Sequence, residues 1–221
     1  SQLIGMHNLE SNVENVFLKE SDETLWQLKP GENPRNTQEA NELIIQFIPG
    51  QQYGLTNSFM SAFEPGDLRQ ANWTGSITNT EGTITLNFAH KYKALLSETE
   101  TMEYSIVFRL SEQYLIRSES RAHLGNIVGS QQDLNTIRNR AGLSNTTASN
   151  MTDLLEANLK ERRVELFTEH GHRWFDLNRT GTAGSALSLV KPNWQPSDIL
   201  FPIPESELEI NPNLLPQNTG Y

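Results

Sequence analysis

Leu9, Val13, Val16 and Phe17 recur at helical spacing, which predicts a short amphipathic helix over residues 8–20. Glu23–Leu28 reads as a short extended piece, and Pro30–Glu39 as turn and loop. Leu43–Ile48 is an apolar run that fits a buried strand or a short helix equally well, closed by Pro49 and Gly50. From Gln51 to Glu81 periodicity disappears. Aromatic and small polar residues follow one another without order, which predicts a long loop, and its aromatics argue against disorder. Thr83–Phe88 alternates as a strand does, with a hairpin turn at Glu81–Gly82.

The second half is helical in pattern. Met102–Leu110 is extended, and Ser111 N-caps a helix that runs to about Leu124 and stops at Gly125. Ser130 and Asp133 form a capping box for the next helix, which carries Leu134, Ile137 and Ala141 on one face and ends at Gly142. A third begins near Thr152, and its stripe of Leu155, Leu159, Leu166 and Phe167 continues to a stop at Gly171. Beyond Arg179 glycine and proline dominate. Pro202 and Pro204 make Phe201–Pro204 an extended strap, and Phe201–Tyr221 is expected to pack back on the core. The expected architecture is mainly α, one domain over residues 1–221. A loop-rich insert at 51–81, a helical core at 111–179 and a packed tail at 201–221 subdivide it.

The stripe of the third helix passes through Arg162 or Arg163. A lone charge on an apolar seam costs several kcal/mol to desolvate, so a partner is required, and Glu165, Glu169 and Asp176 are the nearest acids. Glu161, Glu165 and Glu169 share a helical face, as paired catalytic carboxylates can, but neighbouring arginines account for them more simply. His170 and His172 give an HxH spacing with no third ligand cluster, so no metal is expected. Without cysteine there are no disulfides, thiolate zinc sites or thiol nucleophiles. A net charge of -10 disfavours nucleic acid and anionic membrane surfaces as partners. No apolar run is long enough to span a membrane. No phosphate loop or nucleophile elbow occurs, so neither a cofactor nor a catalytic residue is expected.

The block ERRVELFTEHGHRWFDLNRTG resembles the C-terminal signature of the SusD/RagB family of bacterial outer-membrane nutrient-binding lipoproteins. YLIRSESRAHLG…DLNTIRNRAGL resembles the helical pair that precedes it, and FPIPESELEINPNLLPQNTGY the terminal segment. The chain departs from the pattern at Ser118 and Ser120, where alanine is common, and at Thr219, where proline is common. The resemblance implies a helical-repeat superhelix of tetratricopeptide type with long loops and short strand insertions. Family members are longer and begin with a signal peptide and a lipidated cysteine, so the resemblance implies the C-terminal half of a surface lipoprotein, attached to the membrane only through that anchor. It makes Trp26 a core residue and Asp67–Arg69 first of all a structural bridge.

The implied function is capture of an oligosaccharide or other small nutrient at the outer membrane and its delivery to a TonB-dependent transporter of the SusC type. A scaffold that holds the transporter without touching ligand is the alternative, and a glycoside hydrolase a distant one. Sugar recognition needs aromatic platforms and planar polar side chains. The loop Gln51–Glu81 offers both, with Trp73 the foremost ligand candidate, Asn72 beside it, and Tyr53 and Arg69 as secondary ones.

Overall fold

A computed structural model describes residues 3–50 and 53–221, so the first two positions of the 51–81 insert, Gln51 and Gln52, lie outside the described residues. The chain forms two compact units, up to His170 and from Gly171 to Tyr221.

In the first unit the helices are α1 (Leu3–Met6), α2 (Glu39–Leu43), α3 (Asn57–Met60), α4 (Leu68–Trp73), α5 (Leu110–His123), α6 (Ile127–Arg140) and α7 (Met151–Glu165). Strands β1 (Thr24–Leu28) and β4 (Ser105–Arg109) make one antiparallel ribbon, and β2 (Thr74–Thr78) and β3 (Thr85–Ala89) a second. The mainly α architecture expected from the sequence is what the chain adopts.

α5 and α6 form a hairpin, and α7 packs on both. Leu115, Ala122, Leu134, Ile137, Ala148 and Leu154 close the core between them. A second core joins residues far apart in sequence, among them Val13, Val16, Phe17, Phe63, Trp73, Tyr92, Ile106, Val164 and Phe167. Gly142 ends α6 at φ +80°, where a Cβ would be strained and would press on Leu68.

Three local expectations change. Residues 8–20 form only a 3₁₀ turn at Val13–Asn15, although Val13, Val16 and Phe17 are buried. The Asn12 side chain accepts from Glu14 N, and such local bonds compete with a helix too short to nucleate by itself. α6 starts three residues before Ser130, with Asn126 as its cap, while the Ser130 carbonyl and hydroxyl meet the Ser118 hydroxyl. The 51–81 insert is not a continuous loop but contains α3, α4 and β2. Thr56 and Asp67 cap the two helices, which at four and six residues are too short to show a period.

In the second unit α8 (His172–Arg179) follows Gly171, which sits at φ +71°. α9 (Ala183–Leu187) and α10 (Glu205–Ile210) come after it. The terminal segment folds back on the strap within this unit: Gln217 exchanges two hydrogen bonds with the Ile203 backbone, and the Tyr221 hydroxyl donates to the Leu200 carbonyl. Trp174 packs against Trp194 and Phe201 at centroid distances of 6.4 and 5.6 Å.

Candidate functional site

The charged face of α7, continued by the turn that follows it, lies at the centre of the first unit. Glu161, Glu165 and Glu169 follow one another at i, i+4 and i+8, and each is clamped by cations from other elements. Arg69 of α4 makes a fork on Asp67 (2.9 and 2.8 Å) and places Nη1 2.6 Å from Glu161 and 2.9 Å from Glu165. Arg109, the last residue of β4, forks Glu169 at 2.8 and 3.0 Å and reaches Glu165 at 2.5 Å and Glu23 at 2.9 Å. Arg140 bridges Glu23 and Glu165. Lys91 donates to Glu169 at 2.5 Å and to the Glu165 carbonyl at 2.7 Å, with the rings of Phe167, Trp73 and Phe17 around it at 4.1, 4.8 and 5.3 Å. With Arg138 on Glu161, and on the exposed Glu64 at the edge, five cations face five buried carboxylates: Glu23, Asp67, Glu161, Glu165 and Glu169.

Burial works against ionisation at Lys91, Glu161, Glu165 and Glu169. It would raise the Glu169 carboxyl, but Arg109 and Lys91 hold it down at about 2. It would raise Glu165 as well, yet Arg140, Arg109 and Arg69 keep that carboxyl well below the usual range. At Glu161 burial outweighs Arg69, and the carboxyl rises. Lys91 is pulled down by burial to about 8, with Glu169 opposing. The arrangement is therefore structural, since Glu161 and Glu165 of α7 and Glu169 in the turn after it are each committed to a guanidinium or ammonium group.

The sequence offered Glu165 and Glu169 as partners for Arg162 or Arg163, but the cations that clamp these two carboxylates are Arg69, Arg109, Arg140 and Lys91, all brought from other elements. Arg162 is buried and lies 3.9 Å from Glu112 of α5. Arg163 is half-buried, stacks over Phe59 and donates to the Ser58 carbonyl. Asp176 belongs to the second unit, where Arg179 bonds it at 2.9 and 2.8 Å. Among the described residues no group of three or more His, Cys, Asp or Glu could hold a metal ion.

Two of the four ligand candidates move to the interior. Trp73 is 1% exposed, its indole N–H donates to the Val13 carbonyl at 2.8 Å, and Phe17 meets it edge-on. It is a core residue because α4 turns it inward before β2 begins. Arg69 is wholly buried in the network above. Asn72 is half-buried and donates to the Leu68 carbonyl of its own helix. Tyr53 alone remains on the surface, 59% exposed.

Tyr53 borders an open hollow of about 190 Å³, together with Phe47, Asn41, Glu42 and Gln46. Phe47 is 65% exposed, and its ring lies so close to Gly50, where φ is +136°, that a Cβ there would overlap it. Asn41 uses its side-chain oxygen to accept from Leu96 N, which fixes the side chain beside the hollow. Two exposed rings and three planar polar groups thus line one small space. The sequence concealed Phe47, because an apolar run such as Leu43–Ile48 reads as buried. Trp26 is also exposed, contrary to expectation. It pairs with Phe108 across the β1–β4 ribbon at a centroid distance of 5.8 Å, on the outward face of a two-stranded sheet. A polar groove of about 820 Å³ lies above Arg69 and Glu161, lined by the Ser144–Ala148 loop and by Lys160 and Arg163, with no aromatic side chain.

The family model for the SusD family matches residues 51–221. SusD-like protein P25 of Formosa agariphila is 28% identical over an alignment that covers 86% of this chain and 40% of that protein. SusD-like protein P38 of the same organism is 27% identical, with coverages of 91% and 38%. The chain thus spans about two fifths of the length of these curated relatives. Among solved structures, a SusD superfamily protein from Parabacteroides distasonis superposes with a TM-score of 0.78 at 22% identity, covering 98% of this chain and 54% of that one. Surface glycan-binding protein A from Bacteroides thetaiotaomicron gives 0.74 at 20% identity, with coverages of 97% and 56%. At these identities the superpositions establish the fold.

Proposed function

The chain belongs to the SusD family, and from that premise we propose that it captures an oligosaccharide at the bacterial cell surface and passes it to a TonB-dependent outer-membrane transporter of the SusC type. Its role is binding, with no catalytic step. Family membership supports the reading, as does the name of a fold relative, surface glycan-binding protein A. The observation within the chain that carries it is the hollow bordered by Phe47 and Tyr53.

A pyranose presents an apolar face of C–H groups and a rim of hydroxyls. An exposed aromatic ring covers the first, and carboxamide or carboxylate groups at the rim exchange hydrogen bonds with the second. Phe47 and Tyr53 supply rings, and Asn41, Glu42 and Gln46 supply planar polar groups. An uncharged sugar meets no electrostatic objection from a chain of net charge -10.

The test is calorimetry on the intact protein with a panel of oligosaccharides. Tyr53→Ala and Phe47→Ala are each expected to weaken binding by about 1.5–3 kcal/mol, the value of covering one large apolar side chain, with little change in melting temperature. If both variants bind like wild type, this hollow is not the capture site, and the alternative of a scaffold that only holds the transporter gains ground.

A further inference from the structure

A second hollow, of about 340 Å³, is lined by Lys19, Lys29, Arg35, Glu32, Thr101 and Tyr104. Three cations and one carboxylate surround it. Elsewhere acids prevail, for the chain has 27 Asp and Glu against 17 Lys and Arg. Its lining residues carry an excess of two positive charges, one of them answered by Glu20 from outside the lining, which is the reverse of what an average patch on such a background would carry.

The walls of the hollow are tied together by hydrogen bonds. The first wall, at Lys19, bonds through its N–H to the Met102 carbonyl at 2.9 Å, and its carbonyl accepts from the Gln27 side chain at 2.9 Å. The second, the 29–35 loop, is fastened by Arg35, which donates to the Thr99 carbonyl at 2.8 Å. Asn36, buried, locks the loop to the third wall. Its amide donates to the Glu100 carbonyl at 2.7 Å, and its oxygen accepts from Met102 N at 2.7 Å and Glu103 N at 3.1 Å. The positions from which the cations project are therefore fixed.

The charges themselves are only partly answered. Lys19 has Glu20 at 3.7 Å, a pair open to solvent. Arg35 is engaged through a neutral carbonyl. Lys29 has no ion-pair partner among the described residues. Solvated surface pairs contribute little to stability, so holding these three side chains around one concavity does little for the fold. It does create a place where an anion finds several donors at once, with a guanidinium fork suited to a carboxylate or a sulfate.

We propose that this hollow is a subsite for the acidic substituent, a carboxylate or a sulfate ester, of a charged saccharide. The proposal deepens the glycan-capture reading and rests on it. The Trp26–Phe108 pair lies on the β1–β4 ribbon, whose register is irregular at Trp26–Gln27, and neither ring lines the hollow. The subsite works without that platform.

Calorimetry on the intact protein at low and high salt tests it, with three probes: oligogalacturonate, a sulfated galactose oligomer and an uncharged galactose oligomer. Binding of at least one anionic probe is expected to exceed that of the uncharged one at low salt and to fall as salt rises, since screening acts only on the charged contact. Comparing the two anionic arms identifies whether carboxylate or sulfate is the group accepted. Lys29→Gln should weaken the preferred anionic probe by about tenfold or more, the loss of one charge-assisted hydrogen bond, and the double variant Lys29→Gln/Arg35→Gln should weaken it further. They should leave uncharged binding unchanged. Among the described residues the Lys29 side chain makes no hydrogen bond or ion pair, so its variant separates loss of the subsite from loss of the fold. Anionic probes that bind no better than the uncharged one, or variants that bind them like wild type, overturn the proposal and leave glycan capture standing. Absence of binding by all three probes and by the wider panel overturns both.

Discussion

Glu165→Gln exchanges one atom for another of nearly equal size and removes the charge on which Arg69, Arg109 and Arg140 converge. All three guanidinium groups are buried, as is Glu165 itself. A glutamine oxygen can still accept, but its amide N–H₂ then faces a donor, and the network is left with five cations against four carboxylates. Breaking one partner out of a buried ion pair costs about 3–5 kcal/mol. Domains of this size have roughly 5–15 kcal/mol in total, so about a fifth or more of the stability is at stake. Urea melts read the effect directly. With a slope of about 2 kcal/mol per molar, the midpoint should fall by about 1.5–2.5 M with the slope unchanged. Glu156→Gln is the control: Glu156 pairs with Lys160 on the solvent face of the same helix, and its loss should leave the midpoint where it was. A Glu165→Gln midpoint within about 0.5 M of wild type, corresponding to the roughly 1 kcal/mol of a surface pair, would refute the assignment of the network as a structural keystone.

Trp73→Ala should cost about 3–5 kcal/mol as a core truncation, with the melting temperature falling in step. A variant that keeps its stability would return Trp73 to the surface. Stability should also depend on pH at both extremes. Glu169 is depressed from 4.5 to about 2, so its contribution, about 3 kcal/mol at 1.36 kcal/mol per pH unit, is present above pH 4.5 and lost as pH falls toward 2. Lys91 is depressed from 10.5 to about 8, so between these values the folded state binds fewer protons than the unfolded one. This group alone therefore makes stability rise with pH across that interval. Denaturant midpoints measured in wild type and in Lys91→Met should show that alkaline rise only in the former.

The three long helices were legible because each is long enough to display its period: α5, α6 and α7 begin within a few residues of where the pattern put them. The stripe at residues 8–20 showed which side chains are buried but not their backbone, since local Asn side chains chose turns. Glu165 and Glu169 were recognisable as partners of arginine. Which arginines was not, because Arg69 and Arg109 reach Glu165 across 96 and 56 residues and no local spacing encodes that. Trp73 misled for a related reason. A six-residue helix turns it inward, and six residues are too few to show a stripe. Phe47 misled in the opposite sense, an apolar residue in an apolar run that the turn through Gly50 leaves outside.

The span of these ion pairs bears on how the chain folds. Arg140 reaches Glu23 across 117 residues, and Lys91 reaches Glu169 across 78. Loops of that length must close before the charges meet, and closure is an entropic cost that precedes any gain. Until then the same ten groups remain in water. Hydration of these charges and repulsion between like-charged chains oppose association before closure. The residues that lock the finished interior thus also keep the unfinished one in solution.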